Sequence, residues 1–545
     1  MAAPGADPRL PAAADCVLRA LVDQRAATVP GRLYALFDTD GTRWTYADLA
    51  HWTRRFAAGF QRLGVRQGDI VLTWLPNGPH ALAAWFGLNY LGAVSMPVNT
   101  AYRGALLQHV VRLSGARLLV GDARLLPRLA EIETGPLRQL VAIGEAATPF
   151  GDLAPLPEAA LTGVGEESDP PPRPIQPWDT MAAILTSGTT GPSKAVLCSY
   201  AQWWAAAKAH TYLDAEDRQM VTLPLFHVGG TSPCFNALVR GGSIAMVSAF
   251  DTRSFWDSVR RTGTTAMTVL GTMASFLASQ PPTPQDRDHP LKKTVIIPLN
   301  QAALAFGRRF GVEWYSTYNM TELSCPIFTD RNPEALGSCG RVRPGYEARV
   351  VDKNDCELPP EAVGELVLRS DMPWALNHGY HGNPEATARA WRNGWFHTGD
   401  AFRRDAEGNF YFVDRLKDAI RRRGENISSF EVEREIAAHP DIREAAVVPV
   451  PGEHGEDEIL AVLSRVPGRA PDPAVLIEFL RPRLAHFMIP RFIRFVEALP
   501  MTPTQKVEKH LLRAAGLTPD TWDREAAGLR IRRDRLEAAP LGPPG

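Results

Sequence analysis

The chain has 545 residues, 45% of them hydrophobic and 22% charged, with 59 basic against 60 acidic side chains and a net charge of −1. A single core stops growing at roughly 250–300 residues, so two or three domains are expected. A near-zero net charge excludes a global field for nucleic acid or an anionic membrane, and leaves small molecules as the expected partners.

In chain order, the opening "MAAPGADPRLPAAAD" carries no basic region and no continuous apolar run, so it does not read as a secretion signal. "DIVLTWL" (69–75) reads as a strand. The weakly charged stretch "ALAAWFGLNYLGAVSMPVN" (81–99) is interrupted by Gly87, Asn89, Gly92 and Pro97, which favours a buried helix and a core strand over a membrane span. "YAQWWAAAKAHTYL" (200–213) and "QAALAFGRRF" (301–310) read as helices; "SIAMVSAF", "TAMTVLGT" and "KTVIIPL" read as strands. Apolar strands alternating with amphipathic helices up to about residue 400 indicate an α/β fold. Proline-rich breaks at 166–177 and 280–290 read as surface loops. From about 400 the texture becomes turn-rich and charged, followed by a helix ("SSFEVEREIAAHP"), a strand ("EAAVVPVP"), a helix ("PAVLIEFLRPRLAHF") and a strand ("RFIRFVEALP"), a second α+β unit. The segment 521–545 reads as a charged, peripheral tail. Six cysteines without a Cys-x-x-Cys pair read as reduced thiols of a cytoplasmic protein.

The stretch "LTSGTTGPSKAV" (185–196) gathers hydroxyls, glycines and Lys194, and only eight of the 59 basic residues are lysines, so one inside a motif stands out. It is neither a Walker A loop, since Ser193 stands where that pattern needs glycine, nor a Rossmann fingerprint. Extended segments on both sides predict a hairpin whose tip, lined with hydroxyls and backbone N–H groups, can close over a polyphosphate. The plainer reading is a surface turn. Four further stretches bear on the choice. "YSTYNMTE" (315–322) places Glu322 beside Thr321 at a strand end, a post for Mg²⁺ and phosphate or an ordinary helix N-cap. "GWFHTGD" (394–400) ends in Asp400, read as an exposed acid for a ribose or a Gly-Asp turn. "DRLKDAIRRRGEN" (414–426) offers Arg421, Arg422 and Arg423 to the phosphates of a large anionic co-substrate, or is a solvated charged hairpin. "PMTPTQKVEK" (500–509) sets Lys506 after a Pro/Thr turn.

In this order and at these intervals, over roughly residues 20–515, these motifs resemble the ANL superfamily of adenylate-forming enzymes, most closely its carnitine/crotonobetaine-type acyl-CoA ligases through "GNFYFVDRLKDAIRRRGENISSFEVE" and "FMIPRF". The resemblance implies a large N-terminal adenylation domain (1–416) with mixed sheets and a small mobile C-terminal α+β domain (417–520). It implies that Thr186, Ser187, Gly188, Thr189, Thr190, Gly191 and Lys194 hold the β- and γ-phosphates of ATP, with Thr321 on phosphate and Glu322 on Mg²⁺. Asp400 and Arg415 match the ribose contacts, Tyr318 and Asn319 the adenine side, and Lys506 the catalytic lysine. Lys417 matches the hinge, and His227 the gate of an acid pocket shared with Val228, Gly229, Thr272, Asn319 and Cys325. Arg423, Gly424, Glu425 and Asn426 match the face serving the second half-reaction. Three departures, Ala195, Asn319 and Gln505 where relatives have glycine, remove no charged group; they bear on substrate, not on adenylation. Tyr, Asn and His in the pocket suggest a polar or aromatic acid. The implied activity is ATP-dependent adenylation of an acid followed by transfer to coenzyme A, with a homodimer as the implied assembly. The alternative keeps the adenylate and changes the acceptor to an amine or a carrier protein, or activates nitrite toward an aryl amine as diazotases do.

Overall fold

The computed structural model describes residues 7–145, 149, 153–163, 165–186, 193–248, 250–415, 419–422, 425–452, 456–500, 507 and 509–531; the side chains of Thr272, Arg415 and Asn426 lie outside that description. Among the described residues, the part before residue 416 is built on three sheets and the part after it on a hairpin and a fourth, smaller sheet. The chain thus has the expected plan: a large α/β N-terminal domain with mixed sheets, and a smaller C-terminal α+β domain.

Two seven-stranded sheets are parallel except at one edge pair each. Parallel strands are covered on both faces, which is why "IVLTW", "SIAM" and "AMTVL" read as nearly unbroken apolar runs. The helix Pro79–Tyr90 is buried along its whole length, as its apolar circumference demands, and the strand Val94–Pro97 follows it. Gly87 makes its packing feasible, since a Cβ there would sit 2.7 Å from Cβ of Phe56 on the neighbouring helix Tyr46–Arg62. That neighbour begins with a capping box, Thr45 accepting from the Asp48 N–H while Asp48 accepts from the Thr45 N–H.

In the second sheet the strand order reverses at Arg218–Val221, with Ser243–Met246 on one side and Ala266–Leu270 on the other. Such a switch point opens a crevice beyond the carboxyl ends of the strands. The third sheet is antiparallel and carries Thr317–Tyr318, Trp395–Arg404 and Phe410–Arg415. The charged segment after residue 400 therefore begins as part of the N-terminal domain's sheet.

The C-terminal core gathers Ile420 and Ile427 of the hairpin with Val432, Ile436, Val447 and Ile459. Its centre is the strand Asp457–Arg465, which sequence inspection passes over although almost all of it is buried. The helix read over 473–487 stops at Leu480, because Pro482 cannot donate its backbone N–H and disfavours helical geometry before it. The tail expected at the periphery begins inside this sheet: Trp522 pairs with Ile493, Asp523 pairs with Phe492 and forms an ion pair with Arg491, and Ile531 packs on the core. No helix among the described residues is long and apolar enough to cross a membrane.

Candidate active site

The strand Thr180–Thr186 pairs antiparallel with Lys194–Ser199, Thr186 opposite Lys194, so the Gly/Ser/Thr stretch does turn a hairpin. Its tip, residues 187–192, holds the predicted Ser187, Gly188, Thr189, Thr190 and Gly191 and lies outside the described residues, as do Lys417, Arg423, Gly424 and Lys506. The described candidates converge. Thr186, Lys194, His227, Val228, Gly229, Tyr318, Asn319, Thr321, Glu322, Cys325, Asp400 and Glu425 all line one cavity of about 1410 Å³. Thr272 sits in the helix Gly271–Ala278, Arg415 pairs with Asp400 in register, and Asn426 lies in the strand Glu425–Ser428.

At one end of the cavity, Thr321 and Glu322 occupy a turn just after the strand Thr317–Tyr318; no helix follows, so the N-cap alternative fails. The turn is clamped from behind. Gln202 Nε2 donates to the Thr321 and Leu323 carbonyls at 2.9 and 3.0 Å, and the Asn377 N–H donates to the Glu322 carbonyl at 2.8 Å. Glu322 is nearly buried and accepts the Tyr380 hydroxyl at 3.0 Å. Lys194 Nζ sits 4.6 Å from the centre of the same Tyr380 ring. Tyr380 thus spaces the lysine from the carboxylate, and burial together with that carboxylate pushes its phenol well above the usual range.

Asp400 corrects the expectation of an exposed acid. It is 6% exposed and lies inside the strand Trp395–Arg404. Between Glu365↔Ala401 and Val367↔His397 the pairing slips, with Gly399 at φ +73° and its N–H on Glu365; this bulge turns Asp400 toward the cavity. There its carboxylate accepts the Tyr318 hydroxyl at 2.7 Å, and Phe402 meets the Tyr318 ring edge-on at 4.8 Å. Asn319 is engaged as well: its Oδ1 accepts the Cys325 N–H at 2.9 Å, supporting Cys325 at φ +53°.

The C-terminal domain reaches the same cavity at two points. His227 Nε2 lies 2.8 Å from Glu425 Oε2. Glu431, at the start of the helix Ser429–Ala437, accepts both the backbone N–H and the hydroxyl of Ser193 at 2.9 and 2.7 Å, all buried. Arg422 is a further correction: offered as a phosphate contact, it is 1% exposed, donates to the Phe487 and Ile489 carbonyls at 3.0 Å and pairs with Glu458 at 2.8 Å. Burial beside an acid makes it a brace for the hairpin, not a solvent-facing cation. Sequence reasoning missed Tyr380, Gln202 and Glu431, and the bond Glu431 makes to the loop's Ser193, because their partners lie far along the chain. The only local cue was an aromatic between glycines in "HGYHG" (378–382).

Comparison with known proteins gives this constellation a family. The AMP-binding enzyme family matches residues 22–381, and the AMP-binding enzyme C-terminal domain matches residues 431–506. The chain is similar to a crotonobetaine/carnitine–CoA ligase of Salmonella typhi, 32% identical over 499 residues that cover 86% of this chain and 93% of the relative. Its fold matches an o-succinylbenzoate CoA synthetase from Bacillus subtilis with TM-score 0.77 at 22% identity, covering 91% of this chain and 98% of that one. It also matches an amide bond synthetase from Marinactinospora thermotolerans with TM-score 0.78 at 24% identity, covering 91% and 99%. With these matches over most of its length, the chain belongs to the AMP-binding enzyme family, the ANL superfamily of adenylate-forming enzymes.

Proposed function

We propose that the protein is an ATP-dependent acid:CoA ligase, joining a carboxylic acid first to AMP and then to the thiol of coenzyme A. The observation that carries the reading is the 2.8 Å contact between His227 and Glu425. It supports the reading by joining Glu425, proposed for the second half-reaction, to His227, proposed as the acid gate, beside the pairs Tyr318–Asp400 and Tyr380–Glu322. Support for coenzyme A as acceptor comes from the crotonobetaine/carnitine–CoA ligase similarity.

In the first half-reaction a carboxylate oxygen attacks the α-phosphorus of ATP, the bond to the β-phosphate breaks, and pyrophosphate leaves. The acid is already ionised at neutral pH, so no base is required; two anions must be aligned and their charge offset. The loop 186–194 and Thr321 hold the phosphates, Asp400 and Arg415 the ribose, Tyr318 and Asn319 the adenine side, and Lys506 meets the developing charge. Glu322 suits a Mg²⁺ ion that keeps most of its water and rests on one protein carboxylate. Among the described residues no three His, Cys, Asp or Glu side chains form a cage, so the fit is to a metal carried in with the phosphates. Bound there, Mg²⁺ would supply charge neutralisation.

In the second half-reaction the coenzyme A sulfur attacks the acyl carbon and AMP leaves. Residues 417–520 turn about Lys417, exchanging Lys506 for the face of Arg423, Gly424, Glu425 and Asn426. Glu425 holds the His227 ring, and Glu431 holds Ser193 at the base of the loop. The test is product analysis with Mg·ATP and a panel of acids, with and without coenzyme A. AMP together with an acyl-CoA mass is the expected result; AMP without any thioester, or only when an amine is supplied, would move the acceptor away from coenzyme A.

A further inference from the structure

The acid end of the cavity carries hydrogen-bonding capacity that the protein itself does not use. Its walls are the sheet face formed by Gln219, Ala266 and Thr268 and the helix Val228–Arg240. On that helix Gly229, Ser232, Pro233 and Asn236 follow helical spacing and line the cavity together. Asn236 is 3% exposed and lines the cavity; its side chain makes no hydrogen bond among the described residues, and its amide keeps access to the cavity. An amide that faces the cavity favours a ligand able to hydrogen-bond with it over one that displaces its water without replacing that bond.

Two more groups line the same cavity. Gln219 spends its Nε2 on the Pro233 carbonyl at 3.4 Å, which leaves Oε1 as an acceptor. His210 lies 3.0 Å through Nδ1 from the Ala206 carbonyl; a carbonyl only accepts, so Nδ1 bears the hydrogen and Nε2 is an acceptor. Burial lowers the His210 imidazole to about 4, with Arg240 and Arg343 acting in the same direction, so the ring is neutral near pH 7. No charged side chain from the helix, from the strands Arg218–Val221 and Ala266–Leu270, or from residues 210–213 lines this part of the cavity. Tyr212, which lines the cavity and stacks on Tyr315 with ring centres 4.2 Å apart, adds a flat apolar wall.

From Gly229 beside the gate to Asn236 is about 10 Å along the helix. That is the reach of one aromatic ring bearing a short chain and a substituent opposite it, and far short of a long alkyl acid. Resting on the ligase reading above, we infer that the substrate is a single-ring carboxylic acid whose far end carries a neutral hydrogen-bond donor, a hydroxyl or amide, read by Asn236 with Gln219 and His210. A quaternary ammonium end, as in crotonobetaine, would meet acceptors without charge and two nearby arginines. A plain hydrocarbon end would leave Asn236 unsatisfied.

The experiment measures kcat/KM for AMP release by the full chain with para-hydroxyphenylpropionate, phenylpropionate, hexanoate and crotonobetaine. The hydroxylated acid should exceed its plain counterpart about tenfold to hundredfold. Asn236→Leu should erase or invert that preference. Asn236→Asp should gain activity toward the para-aminomethyl analogue, a gain that misfolding cannot imitate; an ATP-dependent rise in melting temperature checks the fold of both variants. A wild-type preference for crotonobetaine or hexanoate, a hydroxyl preference that Asn236→Leu leaves intact, or no gain in Asn236→Asp overturns the inference and leaves the ligase reading standing. No AMP release with any carboxylic acid overturns both.

Discussion

The two ends of the cavity solve opposite problems. At the end proposed for the nucleotide, polar side chains are already engaged with one another: Tyr318 with Asp400, Tyr380 with Glu322 and with the Lys194 ammonium. At the end proposed for the acid, Asn236 faces the cavity and makes no side-chain hydrogen bond among the described residues, and the groups beside it are neutral. A charged group left unpaired in a closed site is far more expensive than an unpaired amide, so the charged end is tied up by the protein and the neutral end is left for the ligand. On the proposed reading, the first end suits one cosubstrate of fixed shape, and the second is where specificity can change.

The largest effect that separates the ends should come from Lys506→Ala. AMP formation is expected to fall about a hundredfold to ten-thousandfold with every acid, while ATP binding by calorimetry survives. Unchanged AMP formation would remove Lys506 from the nucleotide machinery. Tyr318→Phe deletes a hydroxyl hydrogen-bonded to a carboxylate, and should raise KM for ATP about tenfold while leaving the ranking of acids unaltered. A change in acid ranking would mean that the two ends are not separable. Glu431→Ala removes the bond to Ser193; thioester formation from preformed adenylate should slow about tenfold, with ATP–pyrophosphate exchange unchanged. Equal slowing of both steps would assign Glu431 a merely structural role.

The smallest effect concerns stability. Burial holds His210 and His378 near about 4, against an ordinary 6.5, so between those values the unfolded chain binds protons that the folded chain does not. Stability therefore rises with pH through this window and is lost as pH falls from about 6.5 toward 4. The double variant His210→Asn, His378→Asn should lose a few degrees less than wild type between about pH 7 and pH 5 in a melting scan. Parallel pH slopes for the two proteins would show that other groups dominate.

Contiguous motifs made much of this legible. The hairpin around residues 187–192 was readable because extended segments flank it, and the buried helix Pro79–Tyr90 because its composition fits nothing else. Asp400 was misjudged as exposed because its burial depends on Tyr318, 82 positions away, and on a bulge that only strand pairing reveals. Arg422 looked like its two arginine neighbours, yet it alone of the described hairpin side chains pairs with Glu458, a residue of the strand that was overlooked. Glu431 and Ser193 stand 238 positions apart, and no local pattern announces their bond.

That bond bears on the order of events. Ser193 has one backbone N–H and one hydroxyl hydrogen, and Glu431 takes both. A phosphate that needed those donors would have to displace a carboxylate, and the two anions would repel across the same few ångströms. The arrangement that brings Glu425 to His227 is thereby one in which the flank of the loop already holds a negative charge. A fresh triphosphate competes with it, so an excess of ATP should act as a brake on the second step, and a cleared loop as its release.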